Sequence, residues 1–547
     1  MNAAPVTRVL AAGALWLAAP GARAAPAPGS PVQPTVTAAM GDVGGKFFGR
    51  TPDPRKVRHT FIAAEPELWD YTPTGRDEVS GRAWPRARRA EQPSAKLRYV
   101  QYTDATFTTK VLPNPSLGIL GPVLRGVVGD YLAVTFLNRT AQPLSLHPHG
   151  VHYDKDSEGS YYQPGPGRGA AVAPGATFTY VWELDEKSGP LPGEPSSKGW
   201  LYHSHVAGDE ETNLGLMGFI IVTDPARARA DGTPADIDRE FGALFMVFDE
   251  SGLGEDAREG EEYADLPADA RPAAKTWTEI QRLLAQGAHP AINGRSFANL
   301  PGLAMNAGER VRWYLFGLGD ERDLHTAHWS GLRVIEEGRR RTDSVELLPA
   351  SMKVADLVAD NPGSWLLECH VAAHRRAGMV ARFVVYPRAA PGADRAPASA
   401  FLGLPAAAQS LRFARAEAMI DPSPAAAAPC TITLAGEATV YEAFSIFNQP
   451  IALQLAGRTV TFHPDAGGTA TVAGATLRLR NASAVGVVYG GLLSFEIDLR
   501  GADWLAALPP PGLKTPPAEL PLPLTLTIGA APHHATVRLV LRVAKKP

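Results

Sequence analysis

The chain has 547 residues, a formal net charge of -3 at pH 7 and a pI of about 6.6, so its charge gives no basis for binding nucleic acid or an anionic membrane surface. The length predicts three or four domains. With 53 glycines, 49 prolines and recurrent alternation of apolar and polar residues, the composition favours an all-β chain of many short strands.

The N-terminal segment, residues 1–24, is typical of a secretory signal peptide. Arg8 precedes an apolar run over residues 9–20, and the small residues Ala22 and Ala24 mark the expected cleavage site. The run is too short to span a membrane. We therefore expect an exported protein, periplasmic or extracellular, with no membrane span, whose residues 25–50 form a flexible linker rich in Ala, Pro and Gly.

Residues 51–226 contain strand-like segments at short spacing and predict one β-sandwich. This segment contains the pairs His147-x-His149 and His203-x-His205. Because neighbouring residues of a strand point to opposite faces, each x-spaced pair places both imidazoles on the same face. Each pair could therefore contribute to one polynuclear metal centre.

Residues 237–388 predict a second sandwich, which contains the strongest signal in the chain. Cys369, His374 and Met379 form a soft S/N/S set that suits a mononuclear copper cycling between one-electron states. Cys369 lies near the end of a predicted strand, so Glu368 and His370 should face a different centre on the opposite side. The backbone would then be a short bridge for electrons between two sites.

The C-terminal third differs in composition. Residues 389–429 are rich in Ala and Pro and predict a linker, and residues 430–547 predict a separate β domain of unknown role with no metal-ligand pattern. Of the two cysteines in the chain, Cys369 belongs to the copper pattern, which leaves Cys430 without an obvious partner. A structural disulfide is therefore not expected.

Most of the histidines lie in four clusters: His147-x-His149, His203-x-His205, His325-x-x-His328, and His370 with His374. So many clusters beside a Cys/His/Met loop fit poorly with the alternative that these histidines are ordinary core residues. The pattern resembles the multicopper oxidases, and within them the branch of ceruloplasmin, hephaestin and the A domains of clotting factors. The resemblance covers residues 55–387. Its motifs are Phe61-Ile62-Ala63-Ala64-Glu65, Leu117-Gly118-Ile119-Leu120-Gly121-Pro122-Val123, Tyr202-His203-Ser204-His205 and Ala291-Ile292-Asn293-Gly294-Arg295.

The resemblance implies two cupredoxin-like Greek-key β-sandwiches that bind one type 1 copper and a cluster of type 2 and type 3 coppers. It assigns the type 1 site to His325, Cys369, His374 and Met379. It assigns type 2 copper to His147 and His328, one type 3 copper to His149, His203 and His370, and the second type 3 copper to His205 with two further histidines. Those two positions are occupied here by Ser330 and Glu368.

Both departures affect the same metal position. A carboxylate is a harder ligand than imidazole, and iron, manganese and zinc accept it more readily than copper does. The position at His205 and Glu368 is therefore either empty, or binds a different metal, or uses Glu368 to move a proton. On this interpretation the reacting groups are Glu368, Cys369 and His370.

The resemblance implies an oxidoreductase that takes single electrons from a small-molecule or metal-ion reductant at His374 and passes them through Cys369 and His370 to dioxygen. Two-domain members of the family form ring-shaped homotrimers, which we expect here by analogy. Arg375 and Arg376 beside His374 would repel a cationic reductant. The alternatives are a one-electron reductase similar to copper nitrite reductases, with Glu368 as its carboxylate, and a non-catalytic copper or electron-transfer protein.

Overall fold

The computed structural model describes residues 44–83, 94–111, 113–162, 165–250, 287–387, 401–403, 411–421, 430–440, 444–445, 450–465, 468–479, 487–488, 491–508, 518–528 and 531–543. The predicted signal peptide, residues 25–43 of the first predicted linker, and residues 389–400, 404–410 and 422–429 of the second lie outside these ranges. Within them the chain is mostly β-strand, as predicted, and no helix is long and apolar enough to cross a membrane.

The first sandwich consists of two facing sheets. Its strands are β1 (Val57–Trp69), β2 (Arg76–Asp77), β3 (Arg82–Ala83), β4 (Ser94–Tyr102), β5 (Leu124–Val127), β6 (Tyr131–Asn138), β7 (His147–Pro148), β8 (His152–Tyr153), β9 (Thr177–Glu183), β10 (Ser197–His203) and β11 (Met217–Thr223). One sheet has the order β4-β1-β6-β9-β8 and the other β5-β11-β10-β7, while β2 and β3 form a small separate pair. The short helix α1 (Asp209–Leu214) separates β10 from β11.

The second sandwich repeats this plan. Its strands are β12 (Arg239–Asp249), β13 (Ala288–Ile292), β14 (Ala304–Asn306), β15 (Arg310–Gly317), β16 (His325–Trp329), β17 (Val334–Glu336), β18 (Arg340–Thr342), β19 (Ser344–Leu347), β20 (Met352–Val358), β21 (Gly363–Cys369) and β22 (Val380–Tyr386). The sheets have the orders β13-β12-β15-β20-β17-β18 and β14-β22-β21-β16-β19. Helix α2 (Ala372–Arg376) connects β21 to β22. Before the second sandwich begins, 3-10 helices cover Pro54–Lys56, Pro115–Leu117, Lys155–Ser157 and Pro225–Arg227.

The two sandwiches pack tightly against each other. Phe219 of β11 stacks on Phe316 of β15 with ring centroids 4.0 Å apart, within one buried apolar cluster that draws on both units. The buried Asn293 side chain donates to the carbonyl of Ser116 at 2.7 Å and accepts from the amide of Leu244 at 2.7 Å. The apolar part of this contact uses the β12 sheet of the second sandwich. From the sheet that carries β16 and β21, Arg382 of β22 donates to the carbonyl of Glu78.

The C-terminal region forms a separate β domain. Its strands are β23 (Leu411–Ile420), β24 (Cys430–Val440), β25 (Phe444–Ser445), β26 (Ile451–Leu455), β27 (Arg458–Phe462), β28 (Thr469–Val472), β29 (Ala475–Leu479), β30 (Val487–Val488), β31 (Gly491–Arg500), β32 (Ala518–Ile528) and β33 (Ala531–Val543), with helix α3 (Ala502–Ala507). Nine strands form one sheet in the order β27-β26-β32-β33-β23-β24-β31-β29-β28. Because the two edge strands follow each other in the chain, the sheet must curve back on itself around its apolar core.

One predicted boundary differs from the structure. The segment 389–429 was expected to be a linker, yet Leu411–Ile420 is a strand that pairs with β24 and with β33. Its alanines and charged residues weaken the apolar alternation that identifies a strand in sequence, and the pairing on both sides supplies the stabilisation that local propensity does not. Cys430 is buried in the core of this sheet and forms no disulfide.

Candidate metal centre

Three of the four predicted type 1 ligands lie together in the second sandwich. The Nδ1 atoms of His325 and His374 are 3.1 Å apart, and Cys369 Sγ lies 3.8 Å from the first and 3.9 Å from the second. An ion about 2.0–2.3 Å from each atom, the usual range for imidazole nitrogen and thiolate sulfur, fits between them. Among the described residues this is the only group of three or more His, Cys, Asp or Glu side chains whose ligand atoms all lie within 4.8 Å of one another.

The backbone places these side chains by strand pairing and a closed loop. Ala327 of β16 is the cross-strand partner of Cys369 in β21, which brings His325 beside the thiol. The Cys369 amide donates to the Met379 carbonyl and the Met379 amide to the His374 carbonyl, both at 3.0 Å. Gly378 permits this return because its φ of +108° is unfavourable for other residues. Met379 is fully buried in the same core cluster as Cys369.

Burial changes the pKa values of all three side chains in this group. It lowers the pKa of His325 to about 3 and that of His374 to about 4, so both imidazoles are neutral and able to coordinate at physiological pH. It raises the pKa of the Cys369 thiol to about 11. Since a thiolate is the ligand form, metal binding must displace the thiol proton.

Four histidines of the first sandwich form a second group. The ring of His147 lies 5.3 Å from that of His149, 5.6 Å from that of His203 and 5.0 Å from that of His205. The Nε2 atoms of His149 and His203 are 3.0 Å apart, close enough for both to bind one ion. Burial lowers the pKa of His149 to about 4 and that of His203 to about 3.

Hydrogen bonds to backbone carbonyls set the coordinating nitrogen in this group. His147 Nδ1 lies 2.7 Å from the carbonyl of Glu158, and His203 Nδ1 lies 2.8 Å from the carbonyl of Ser204. A carbonyl only accepts, so Nδ1 donates and Nε2 is left as the lone pair for a metal. In the group at Cys369 the opposite nitrogen, Nδ1, faces the metal position.

The remaining predicted ligands lie on the outer side of β16 and β21. His328 and Glu368 are cross-strand partners, and the rings of His328 and His370 are 4.1 Å apart. His370 Nε2 lies 3.4 Å from Glu368 Oε1, so these two side chains share the side that strand alternation predicts. His328 Nδ1 lies 3.0 Å from the carbonyl of Asp343, which again leaves Nε2 as the coordinating atom.

Arg375 in helix α2 lies beside Glu368. Its Nη1 is 3.4 Å from Glu368 Oε1, and the Glu368 side chain is only 9% exposed. Arg375 was expected to repel a cationic reductant at His374, and in the structure its guanidinium lies beside the Glu368 carboxylate. Where the Arg375 side chain points on this short helix depends on its contact with Glu368, which could not be identified from the sequence.

The two groups of predicted cluster ligands do not contact each other within the described part of the chain. Over the described ranges, no hydrogen bond or ring contact joins the four histidines of the first sandwich to His328, His370 or Glu368. Ser330 donates its backbone amide to the carbonyl of Leu366 and continues the sheet. Each group is therefore incomplete as a polynuclear centre by itself.

Asp323 is a site residue that the sequence analysis missed. Its carboxylate Oδ1 lies 2.9 Å from His325 Nε2, and its side chain is 1% exposed. Burial raises the pKa of this carboxyl group to about 8 in the metal-free protein. The available signal was the Asp-x-His spacing, which places an acidic side chain two residues before the first residue of the strand that carries the ligand.

Comparison with known proteins agrees with this geometry. Residues 99–227 and 269–389 match two family models, each described as multicopper oxidase. Both sandwiches belong to the multicopper oxidase family. The resemblance expected from the sequence is thus confirmed, and copper is the metal that this family implies.

Among curated multicopper oxidase relatives, ferroxidase HEPHL1 of Homo sapiens is 35% identical over 348 residues, which are 60% of this chain and 29% of that protein. Human hephaestin is 34% identical over 360 residues, or 61% of this chain and 29% of that protein. Ceruloplasmin of Rattus norvegicus is 34% identical over 353 residues, or 60% of this chain and 32% of that protein. The chain thus spans less than a third of the length of these relatives.

Among solved structures, one described as a multicopper oxidase is 20% identical and covers 61% of this chain and 92% of its own, with a TM-score of 0.40. A copper nitrite reductase from Nitrosomonas europaea is 18% identical and covers 62% of this chain and 98% of its own, also with a TM-score of 0.40.

The proton balance at Cys369 predicts how metal affinity depends on pH. Cobalt(II), which does not oxidise thiols, should bind the group at His325, Cys369 and His374 more tightly as pH rises from 6 to 8. Over this range the thiol, with its pKa of about 11, and the Asp323 carboxyl group, with its pKa of about 8, must lose protons, while the imidazoles are already neutral.

The expected increase in affinity is therefore about tenfold to a hundredfold for each pH unit, measured by titrating the cobalt-thiolate absorption. Cys369→Ser serves as the control and should lack this absorption. An affinity that stays constant or falls between pH 6 and 8 would contradict the assignment of the thiol as a ligand.

Proposed function

We propose that this protein is an exported, copper-dependent oxidoreductase that passes single electrons from a reductant to an altered copper cluster, where dioxygen is reduced. The observation that carries the proposal is the adjacency of Cys369 and His370 at the end of β21. Copper bound at His325, Cys369 and His374 would supply one-electron redox chemistry. Met379 would be its fourth ligand, because backbone hydrogen bonds connect Met379 to both Cys369 and His374.

A single peptide unit connects the thiol side of this strand to the imidazole side. Cys369 faces the buried group, and His370 contacts Glu368 and His328 on the opposite face. Electrons that arrive at the buried group therefore have a short covalent route to the second group. The reductant, a small molecule or a metal ion, is proposed to approach at His374.

The cluster is proposed to form between subunits of a homotrimer. His147, His149, His203 and His205 supply one half, with Nε2 as the donor atom at least in His147 and His203. His328, His370 and Glu368 of the next chain supply the other half. In this arrangement His147 and His328 bind type 2 copper, and His149, His203 and His370 bind one type 3 copper.

The position assigned to the second type 3 copper is altered because Glu368 and Ser330 replace two histidines. We propose that Glu368 moves a proton during reduction of the acceptor, since it is mostly buried and contacts His370. The pairing of Glu368 with Arg375 disfavours the role of a strong metal ligand, because the guanidinium already compensates its charge. A different metal at His205 and Glu368 is the alternative that metal analysis would reveal.

A second candidate function is one-electron reduction of a small anion such as nitrite. The observation that favours it is the carboxylate and guanidinium pair beside His370, which combines a proton donor with a positive charge. Assays with dioxygen and with nitrite as the only acceptor distinguish the two functions on the same preparation.

The two cysteines of the chain provide a matched test of the buried copper site. In protein matured with excess copper, the wild type should bind two or three coppers per chain and have an intense blue absorption together with a type 2 paramagnetic resonance signal. Cys369→Ser should lose the blue absorption and at least 99% of the turnover while keeping the type 2 signal, because it removes only the thiolate.

Cys430→Ser is the control, since Cys430 is equally buried but lies in the C-terminal sheet. It should leave the absorption, the copper content and the turnover unchanged. One copper per chain with a blue signal alone would contradict the oxidase proposal and favour an electron carrier.

Restoring the two missing histidines tests the altered position. The double variant Ser330→His/Glu368→His should bind one more copper per chain than the wild type, because it completes an all-imidazole ligand set with His205. Copper content and the absorption of a coupled copper pair are the measurements. The matched control is Ser364→His, on the same strand as Glu368 but outside the cluster. An unchanged copper content in the double variant would refute the assignment of these positions.

Mixing two inactive variants tests whether the cluster forms between chains. His203→Ala removes a ligand of the first half and His370→Ala removes one of the second half, so each variant alone should have little turnover. When the two are unfolded together and refolded with copper, about a quarter of the subunit contacts combine two intact halves by random assembly. Turnover should recover to about that fraction. A mixture that remains as inactive as its components would place both halves in one chain.

A further inference from the structure

A buried carboxylate lies directly behind one of the proposed copper ligands. Asp323 Oδ1 is 2.9 Å from His325 Nε2, the ring nitrogen that faces away from Cys369. The same Oδ1 accepts from the backbone amide of Val247 at 2.6 Å, and Oδ2 accepts from the amide of Asp320 at 3.1 Å. Donors thus surround the carboxylate on three sides, and its side chain is only 1% exposed.

The neighbouring backbone is shaped around this group. Gly319 has a φ of +122°, and a Cβ atom at Gly319 would lie 2.1 Å from Asp323 Oδ2. A side chain at position 319 would therefore displace the carboxylate. The bond from Val247, in β12 of the facing sheet, anchors the loop at its other side. The carboxylate has a fixed position relative to both sheets of the second sandwich.

This position determines how His325 can bind a metal. With a metal on Nδ1, the hydrogen of the imidazole must be on Nε2, and a carboxylate can only accept it. The Asp323 carboxylate thus selects the tautomer whose Nδ1 lone pair faces Cys369 and His374, and it restrains rotation of the ring. Such outer partners usually orient a ligand and increase its basicity.

We propose that Asp323 is a positioning residue that holds His325 and lowers the reduction potential of the copper at this site. A negative charge in a buried position stabilises the more positive, oxidised state of a neighbouring metal because little solvent screens it. The inference rests on the copper site proposed above and assigns it a determinant of its potential. The consequence for specificity is a preference for strongly reducing electron donors.

Asp320, another acidic residue of the same loop, does not share this position. Asp320 is paired with Arg322, whose guanidinium also contacts Asp249 at 2.8 Å. Its charge is therefore balanced within the loop, and its carboxylate does not contact His325 in the described structure. Asp320 supplies a matched control that is three residues away and has the same side chain.

The test compares Asp323→Asn, Asp323→Glu and Asp320→Asn in the full-length, copper-loaded chain by redox titration of the blue absorption. Asn keeps the shape and an acceptor oxygen but removes the charge. We expect Asp323→Asn to shift the ratio of reduced to oxidised copper at a fixed ambient potential at least tenfold towards the reduced form, which corresponds to about 59 mV for one electron. Asp323→Glu, which keeps the charge, should remain closer to the wild type, and Asp320→Asn should shift the ratio less than threefold.

Paramagnetic resonance of the copper and thermal unfolding of the metal-free chain separate positioning from folding. A changed copper hyperfine coupling in Asp323→Asn supports the proposal if the metal-free Asp323→Asn chain melts at the same temperature as the metal-free Asp320→Asn chain. A ratio of reduced to oxidised copper that stays within twofold of the wild type at the same ambient potential, or an equal shift in Asp320→Asn, overturns it. If Asp323→Asn lost the blue absorption entirely, its return in Asp323→Glu would support the proposal and its absence there would overturn it. A wild type without blue absorption would instead refute the proposed function itself.

Discussion

Strand alternation at Glu368-Cys369-His370 is the constraint on which the rest of the structure depends. One residue points into the core of the second sandwich and its two neighbours point out of it, so a single strand end serves two different groups. His325 and the returning loop with His374 complete the inner group, and His328 on the neighbouring strand completes the outer one. A shift of one residue in the register of β21 would exchange the two faces and abolish both groups.

The first sandwich has the same strand plan without the inner group, and its side chains explain why. Ser204 stands between His203 and His205, as Cys369 stands between Glu368 and His370. It is fully buried, and its hydroxyl accepts the amide of Ser145 at 3.0 Å. A serine hydroxyl is not a soft ligand, and this one already accepts a hydrogen bond from the backbone. The first sandwich therefore offers only its outward-facing imidazoles. The repeated fold therefore yields one inner group and two outer half-groups.

The sequence alone predicted much of this arrangement, for identifiable reasons. The two sandwiches, the Cys/His/Met loop and the histidine pairs follow from strand alternation and from ligand chemistry, which are local and strong signals. Asp323 and the orientation of Arg375 were not predicted, because both depend on which atoms a side chain reaches across the fold. Strand β23 was missed for a related reason, since its alanine-rich sequence becomes a strand only between β24 and β33.

The charges on the two sides of Cys369 have a common consequence for electron flow. Asp323 lies behind His325, and the only arginine in its own loop is occupied by Asp320 and Asp249. Glu368, on the other side, is paired with Arg375. The negative charge is thus better compensated near the outer group than near the inner one. Because a less compensated anion lowers the potential of a nearby metal more, this asymmetry would favour movement of electrons from a metal at the inner group to one at the outer group. That is the direction which the proposed reduction of an acceptor requires.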